Sequence, residues 1–316
     1  MIPSKSPTSV PPFIPAIVMT NMTVSTSAEQ ALRMAGDDFD VHEFYPVPFP
    51  DDVPVAELEK ISLSKILNGV RSECDRLFKT CTEIPQSEFF GTRTEGGALP
   101  DWLSDHHDTF KEAAECGNVM ARAILSALEK PLQLPPGSLL KLHRLQDDSG
   151  DFTRILRYAG DPTNEPTRPE GFPPHKDAQT VAILFAWIGG LQIPDPGIPV
   201  EGFAVKEEDW RWVKPEPGYA VVNLGDAMEI YTNKLLRSCI HRVFKSPGLQ
   251  RPHDRYSVLF ATRPKNDSLM KVLESPVIPP GDPTEESITS LEWGHRIIAA
   301  VQSRARARGA RDLDNI

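Results

Sequence analysis

The chain is short of the residues that would tie it to a membrane, an oxidising compartment or a nucleic acid. Only 4 of its 316 residues are cysteine. Cys74 and Cys81 sit seven positions apart on a helical pattern, about 10 Å at ~1.5 Å per residue, too far for a disulfide. Cys116 and Cys239 lack the paired spacing of a zinc site. Free thiols and a reducing, cytoplasmic setting are therefore expected. No apolar run approaches the ~20 residues of a membrane span, and mean hydropathy is −0.32. The opening Met1-Ile2-Pro3-Ser4-Lys5 lacks a charged start followed by an apolar stretch, so no secretory signal is expected. Basic residues are the minority, 34 Lys and Arg against 44 Asp and Glu, for a net charge of −10. A polyphosphate partner is disfavoured, and no basic stripe with interleaved aromatics offsets that balance.

Proline is what the chain has in quantity, 31 residues, and it punctuates the organisation. Residues 1–35 are rich in Ser, Thr and Pro and weakly periodic, which predicts a loosely ordered extension. Residues 36–316 are expected to form one domain: a helical part over about 36–135, a β core over about 136–265 and a C-terminal helix over about 285–310. Pro46, Pro48, Pro50 and Pro54 exclude a long helix at the start of that domain. Leu63, Ile66, Leu67, Val70, Cys74, Leu77, Phe78 and Cys81 recur at helical spacing and predict one amphipathic helix. Phe110 to Leu128 predicts a second, stopped by Pro131. Ala159 to Pro174 reads as a proline-rich loop. Ile288, Leu291, Ile297, Ile298 and Val301 predict the last helix, with Arg304, Arg306, Arg308 and Arg311 suited to its C-terminal dipole.

The chemistry is concentrated in His175-Lys176-Asp177 and, 66 positions on, His241. Residues one position apart project from the same side of a β-strand. Two imidazoles and a carboxylate suit a non-haem Fe(II), because three ligands leave adjacent positions open for dioxygen and a co-substrate. Arg255-Tyr256-Ser257 places a guanidinium and a hydroxyl one residue apart, a clamp for a carboxylate. Arg251 is the nearer cation to His241, but Pro252 follows it and excludes a central strand. His42, His106, His107, His143, His253 and His295 lack a partnering pattern and are expected to be structural. Lys176 is expected to face away from the metal.

Seven ordered blocks carry a wider resemblance: Ile155-Leu156-Arg157-Tyr158, Pro174-His175-Lys176-Asp177, Gly189-Gly190-Leu191-Gln192-Ile193, Pro217 to Asp226, Thr232-Asn233, Ser238 to Val243, and Arg255-Tyr256-Ser257. Over about residues 60–305 the chain resembles the 2-oxoglutarate/Fe(II) oxygenases of the isopenicillin N synthase-like group, in its fungal small-molecule form. The resemblance implies a mainly β fold, a double-stranded β-helix or jelly-roll core with flanking helices. It implies a dioxygenase with Fe(II) held by His175, Asp177 and His241. It also implies 2-oxoglutarate, its distal carboxylate on Arg255 and Ser257 with Tyr158 as a third donor, and ascorbate as reductant.

Hydroxylation, desaturation and oxidative cyclisation of a small metabolite, in specialised-metabolite biosynthesis, are the outcomes this implies, with dioxygen as co-substrate. An isopenicillin N synthase-like oxidase would keep the same residues without 2-oxoglutarate. A dead binding module would have no need of all three ligand types. Inward strand positions are expected to line the substrate pocket: Gln179, Val181, Ile183, Phe185, Val243, Leu259 and Ala261. They are mostly apolar, which suits a small hydrophobic or amphipathic molecule.

Overall fold

A computed structural model describes residues 17–20, 47–83, 92–93, 107–161, 170–195, 198, 200, 202–216, 218–282, 284 and 286–307. Most of the N-terminal extension, His42, His106, the prolines Pro162, Pro166 and Pro169, and Arg308 and Arg311 lie outside these residues. So do the side chains of Phe78, Cys81, Arg304 and Arg306.

Two sheets face each other. The larger runs, in spatial order, β2 (Glu59–Ser62), β1 (Ile17–Thr20), β9 (Tyr219–Leu224), β6 (Val181–Ala186), β11 (Arg255–Thr262), β4 (Phe152–Tyr158) and β3 (Thr92–Arg93). The smaller runs β5 (Glu170–His175), β10 (His241–Phe244), β7 (Leu191–Pro194) and β8 (Trp210–Trp212). All pairings are antiparallel except β1 with β2. This is the expected mainly β, jelly-roll-type core.

Each face of the large sheet has its own core. Phe152, Ala182, Leu184, Leu259 and Ala261 meet Leu191, Ile193 and Val213 of the small sheet. Val181, Ile183, Val222, Leu224 and Phe260 turn the other way, against the helices α1 (Leu63–Leu67), α2 (Arg71–Glu83) and α3 (His107–Glu129). A Cβ at Gly117 of α3 would lie 2.2 Å from the Phe260 ring, so only glycine lets this helix approach the sheet so closely. A short helix, α4 (Asp226–Tyr231), follows β9, and α5 (Ser290–Ala307) closes the described chain.

Two expectations are corrected here. The single helix over 63–81 is two, because Gly69 takes a φ of +70° and Asn68 caps α1. The proline-rich loop over 159–174 ends in strand, since Glu170–His175 pairs with β10. Pro173 and Pro174 are tolerated there because β5 is an edge strand. Cys74, Cys116 and Cys239 are free thiols. Among the described residues no helix is long and apolar enough to cross a membrane.

Candidate functional site

His175 ends β5, and His241, which begins β10, is its Cα partner across the strand pair. Their rings meet with centroids 4.1 Å apart. The His175 Nδ1–H donates to the Pro173 carbonyl at 2.5 Å, which fixes the tautomer and leaves Nε2 with its lone pair. His241 is fully buried, and its ring bonds the Cys239 carbonyl. Burial drives both imidazoles well below their usual range, so both are neutral donors at pH 7.

Outward from His241, the Arg242 guanidinium donates bidentately to Glu207 at 2.7 and 2.8 Å and to Gln192 at 2.7 Å. It also stacks against Trp210 and Phe244. Pinning that side chain to the outer face commits its strand neighbour His241 to the inner one.

Asp177 does not share a strand with His175. Strand β5 stops at His175, and Asp177 lies in the following loop, 1% exposed. Asn223 Nδ2 donates to its Oδ2 at 2.7 Å, while Oδ1 has no hydrogen-bond partner among the described residues. Burial raises this carboxyl well above the usual carboxylate range, with the Asn223 bond opposing the rise. The loop is tied from the far side by Asp226 N–H donating to the Asp177 carbonyl at 2.7 Å. That crossing needs Gly225, where a Cβ would lie 2.1 Å from the Gln179 carbonyl oxygen. Lys176 points away, to Glu229 at 3.2 Å.

The imidazole pair and the carboxylate are not gathered into one ligand cage, and no such group of three exists among the described residues. Their donor chemistry nonetheless fits a divalent metal: two neutral imidazoles and a carboxylate with one buried oxygen unused.

Arg255 and Ser257 share the inner face of β11, 3% and 0% exposed. The guanidinium donates to Ser257 Oγ at 3.4 Å and its carbon stands 5.4 Å from the Tyr158 ring centre. Burial pulls this arginine below its usual range, and no carboxylate pairs with it among the described residues. Room for it comes from Gly190, whose φ is +147° and whose absent Cβ would sit 2.6 Å from Arg255 Cδ. A cavity beside Arg255 is lined by apolar residues, among them Leu184, Ala186, Leu191 and Val221, and also by Lys214, Glu216 and Tyr219. Arg251 is engaged elsewhere, with Asp161 at 3.0 Å.

Of the expected pocket residues, Leu259 and Ala261 lie between the sheets, and Val243 is buried on β10. Gln179 is buried in the bend under Gly225 rather than on a strand. Phe185 is a correction. With Val181 and Ile183 it packs toward the helices, while Leu184 and Ala186 face inward. Asn223 and Gly190 were not singled out from the sequence, although both lie in blocks that carried the resemblance.

A family model described as the 2OG-Fe(II) oxygenase superfamily matches residues 150–264. The chain is 34% identical to a 2-oxoglutarate-dependent dioxygenase of Aspergillus fumigatus, over 86% of this chain and 93% of that one. It is 26% identical to the 2-oxoglutarate-dependent dioxygenase iboH of Amanita muscaria, over 57% of this chain and 83% of that one. Among solved structures, that of a full-length Neurospora crassa protein in complex with alpha-KG superposes with a TM-score of 0.55 at 19% identity. That match covers 67% of this chain and 64% of the other, and it shows a shared fold.

Proposed function

Because the chain belongs to the 2OG-Fe(II) oxygenase superfamily, we propose that it oxidises a small metabolite of specialised biosynthesis, with His175, Asp177 and His241 as its iron ligands. It is an Fe(II)- and 2-oxoglutarate-dependent dioxygenase, and dioxygen is its second substrate. The oxygenase domain spans 36–316, and ascorbate serves as reductant. The free thiols Cys74, Cys116 and Cys239 suit a reducing cytoplasm.

One observation carries the residue assignment. Two neutral imidazoles in ring contact, a buried carboxylate with one oxygen lacking a hydrogen-bond partner among the described residues, and a buried guanidinium on β11 with no carboxylate partner among them are the donor types that Fe(II) and a keto acid need. Iron with 2-oxoglutarate supplies the oxidising power when bound, with succinate and CO2 released. The protein's part is positional. Pro173 and Cys239 hold the two imidazoles by their backbone carbonyls, and Asn223 orients the carboxylate. Arg255 and Ser257 receive the distal carboxylate of 2-oxoglutarate, with the Tyr158 hydroxyl as third donor.

Anaerobic reconstitution with Fe(II), followed by measurement of succinate formed from 2-oxoglutarate, tests the reading. Iron uptake with 2-oxoglutarate-dependent succinate release is expected. Iron uptake and oxygen consumption without succinate would assign the residues to an oxidase instead. No iron uptake would leave a binding module.

A further inference from the structure

Glu229 stands between the two segments that carry the proposed iron ligands. Helix α4 follows β9, and Asp226 and Glu229, three positions apart, share one face of it. That face meets the loop after β5, where Asp226 N–H already holds the Asp177 carbonyl. The Lys176 ammonium, set in sequence between His175 and Asp177, lies 3.2 and 3.3 Å from the two Glu229 oxygens and 3.9 Å from the Asp226 carboxylate. The same Glu229 carboxylate accepts the Ser238 N–H at 2.7 Å. Ser238 adjoins Cys239, whose carbonyl holds the His241 ring. Buried Thr232 brings it there: its Oγ1 accepts the Leu236 N–H at 3.1 Å and folds the chain after α4 back on the helix.

The strand ladder fixes His175 against His241. It does not reach Asp177, which lies beyond the end of β5. Lys176 also borders a groove of about 1120 Å³, with Ile230, Met270, Leu273 and Trp293 on its walls. On that side the ligand loop is not backed by packed side chains, and its position depends on polar ties.

We infer that Glu229 is a positioning residue: through Lys176 and Ser238 it sets the Asp177 loop at its distance from the His241 segment, and so sets how the three ligands fit a metal. The inference rests on the ligand assignment proposed above. Two physical points support it. A carboxylate oxygen on a backbone N–H is a charge-assisted bond, so the Ser238 end is a firm anchor. The Lys176 end is the weaker tie, because its side chains are 30% and 18% exposed, yet it grips the one residue that lies between two ligands.

The test is anaerobic titration of the folded full-length apoprotein with Fe(II), and with Co(II) read by its visible absorption. Glu229→Ala is expected to weaken both metals about tenfold, the lower end of the range for groups that hold metal ligands from outside. Losing an anion also changes the field at the metal. The deciding protein is therefore Lys176→Met/Glu229→Ala, which loses one charge of each sign. It is expected to stay about tenfold weaker than wild type and to alter the Co(II) band pattern at saturation. Wild-type affinity in that double variant overturns the inference, by leaving only the charge to act. A residue that merely stabilised the fold would lower the urea midpoint of the apoprotein while the folded protein kept its metal affinity, and that result overturns it too. Should the alanine variants not fold, Lys176→Met/Glu229→Gln decides, since the amide oxygen keeps the Ser238 bond and only the tie to Lys176 is lost. Binding weaker by about twofold to fivefold, the scale of a partly exposed ion pair, supports the inference, and wild-type affinity overturns it. Wild-type protein that takes up neither metal would instead bring down the ligand assignment, and this inference with it.

Discussion

At the scale of the residue, the proposed metal site turns on Asp177. A carboxyl that burial holds well above its usual range is protonated more readily than an exposed one, and a divalent cation reverses that preference. Replacing His175, Asp177 or His241 with Ala is expected to abolish succinate formation while far-UV circular dichroism stays native. Full turnover in any one of the three would remove that residue from the ligand set. Asn223 acts through Asp177: Asn223→Ala should weaken iron binding by about 10–100-fold in an anaerobic titration, and an unchanged affinity would make the 2.7 Å bond incidental. At the other end of the site, removing one member of a buried charged pair costs roughly 3–5 kcal/mol. Arg255→Ala should therefore raise the 2-oxoglutarate requirement by about two orders of magnitude or more. Unchanged co-substrate dependence would move the carboxylate elsewhere.

At the scale of the element, Gly190 is where backbone shape and site chemistry meet. A side chain there is strained by the φ of +147° and also collides with Arg255. Gly190→Ala should raise KM for 2-oxoglutarate by roughly tenfold to a hundredfold, and an unaltered KM would show that the guanidinium has other room. The elements also explain what could be read from the residues and what could not. The interior face of β11 was legible because Arg255 and Ser257 are polar residues at alternate positions. Strand β6 was not: Val181 to Ala186 is apolar throughout, since both faces are covered, and a run without alternation does not say which side is inward. Phe185 was misplaced for that reason, and only pairing with β11 corrects it. The spacing of His175 and Asp177 suggested a common strand, yet the strand ends between them. The break at Gly69 was likewise hidden, because the apolar period continues across it.

At the scale of the whole molecule, His143 joins the helical layer to the sheet. Its Nδ1–H donates to the Leu139 carbonyl, and its Nε2 accepts from Thr180 Oγ1, both at 2.8 Å. Burial pushes it down to about 4 from an ordinary 6.5. On acidification the unfolded chain takes up this proton first. The stability held by the neutral ring is therefore complete above about pH 6.5 and is lost as pH falls toward 4, up to about 3 kcal/mol. Asp151 works the other way, since burial raises it to about 6 and the folded chain takes up its proton first. Comparing wild type with His143→Gln cancels Asp151. In urea titrations the stability difference between the two should move by roughly 2–3 kcal/mol in the variant's favour from pH 7 to 4.5. A pH-independent difference would rule out titration of His143 as the cause.

The pairing of β5 with β10 also sets a timetable. His175 and Asp177 are neighbours in any conformation, but His241 is 66 residues away and arrives only when the two strands close. On the proposed ligand set, a nascent or partly folded chain offers iron two donors, and the third is a product of long-range closure, which is slow. Loose ferrous iron bound by an open chain would be a source of oxidative damage, and this arrangement delays tight capture until the surrounding wall is built. With all three proposed donors in place the closed form binds iron more tightly than the open one, so iron stabilises it by mass action. In refolding with Fe(II) present, metal uptake should follow the slowest folding phase; uptake in the earliest phase would show that the local pair suffices.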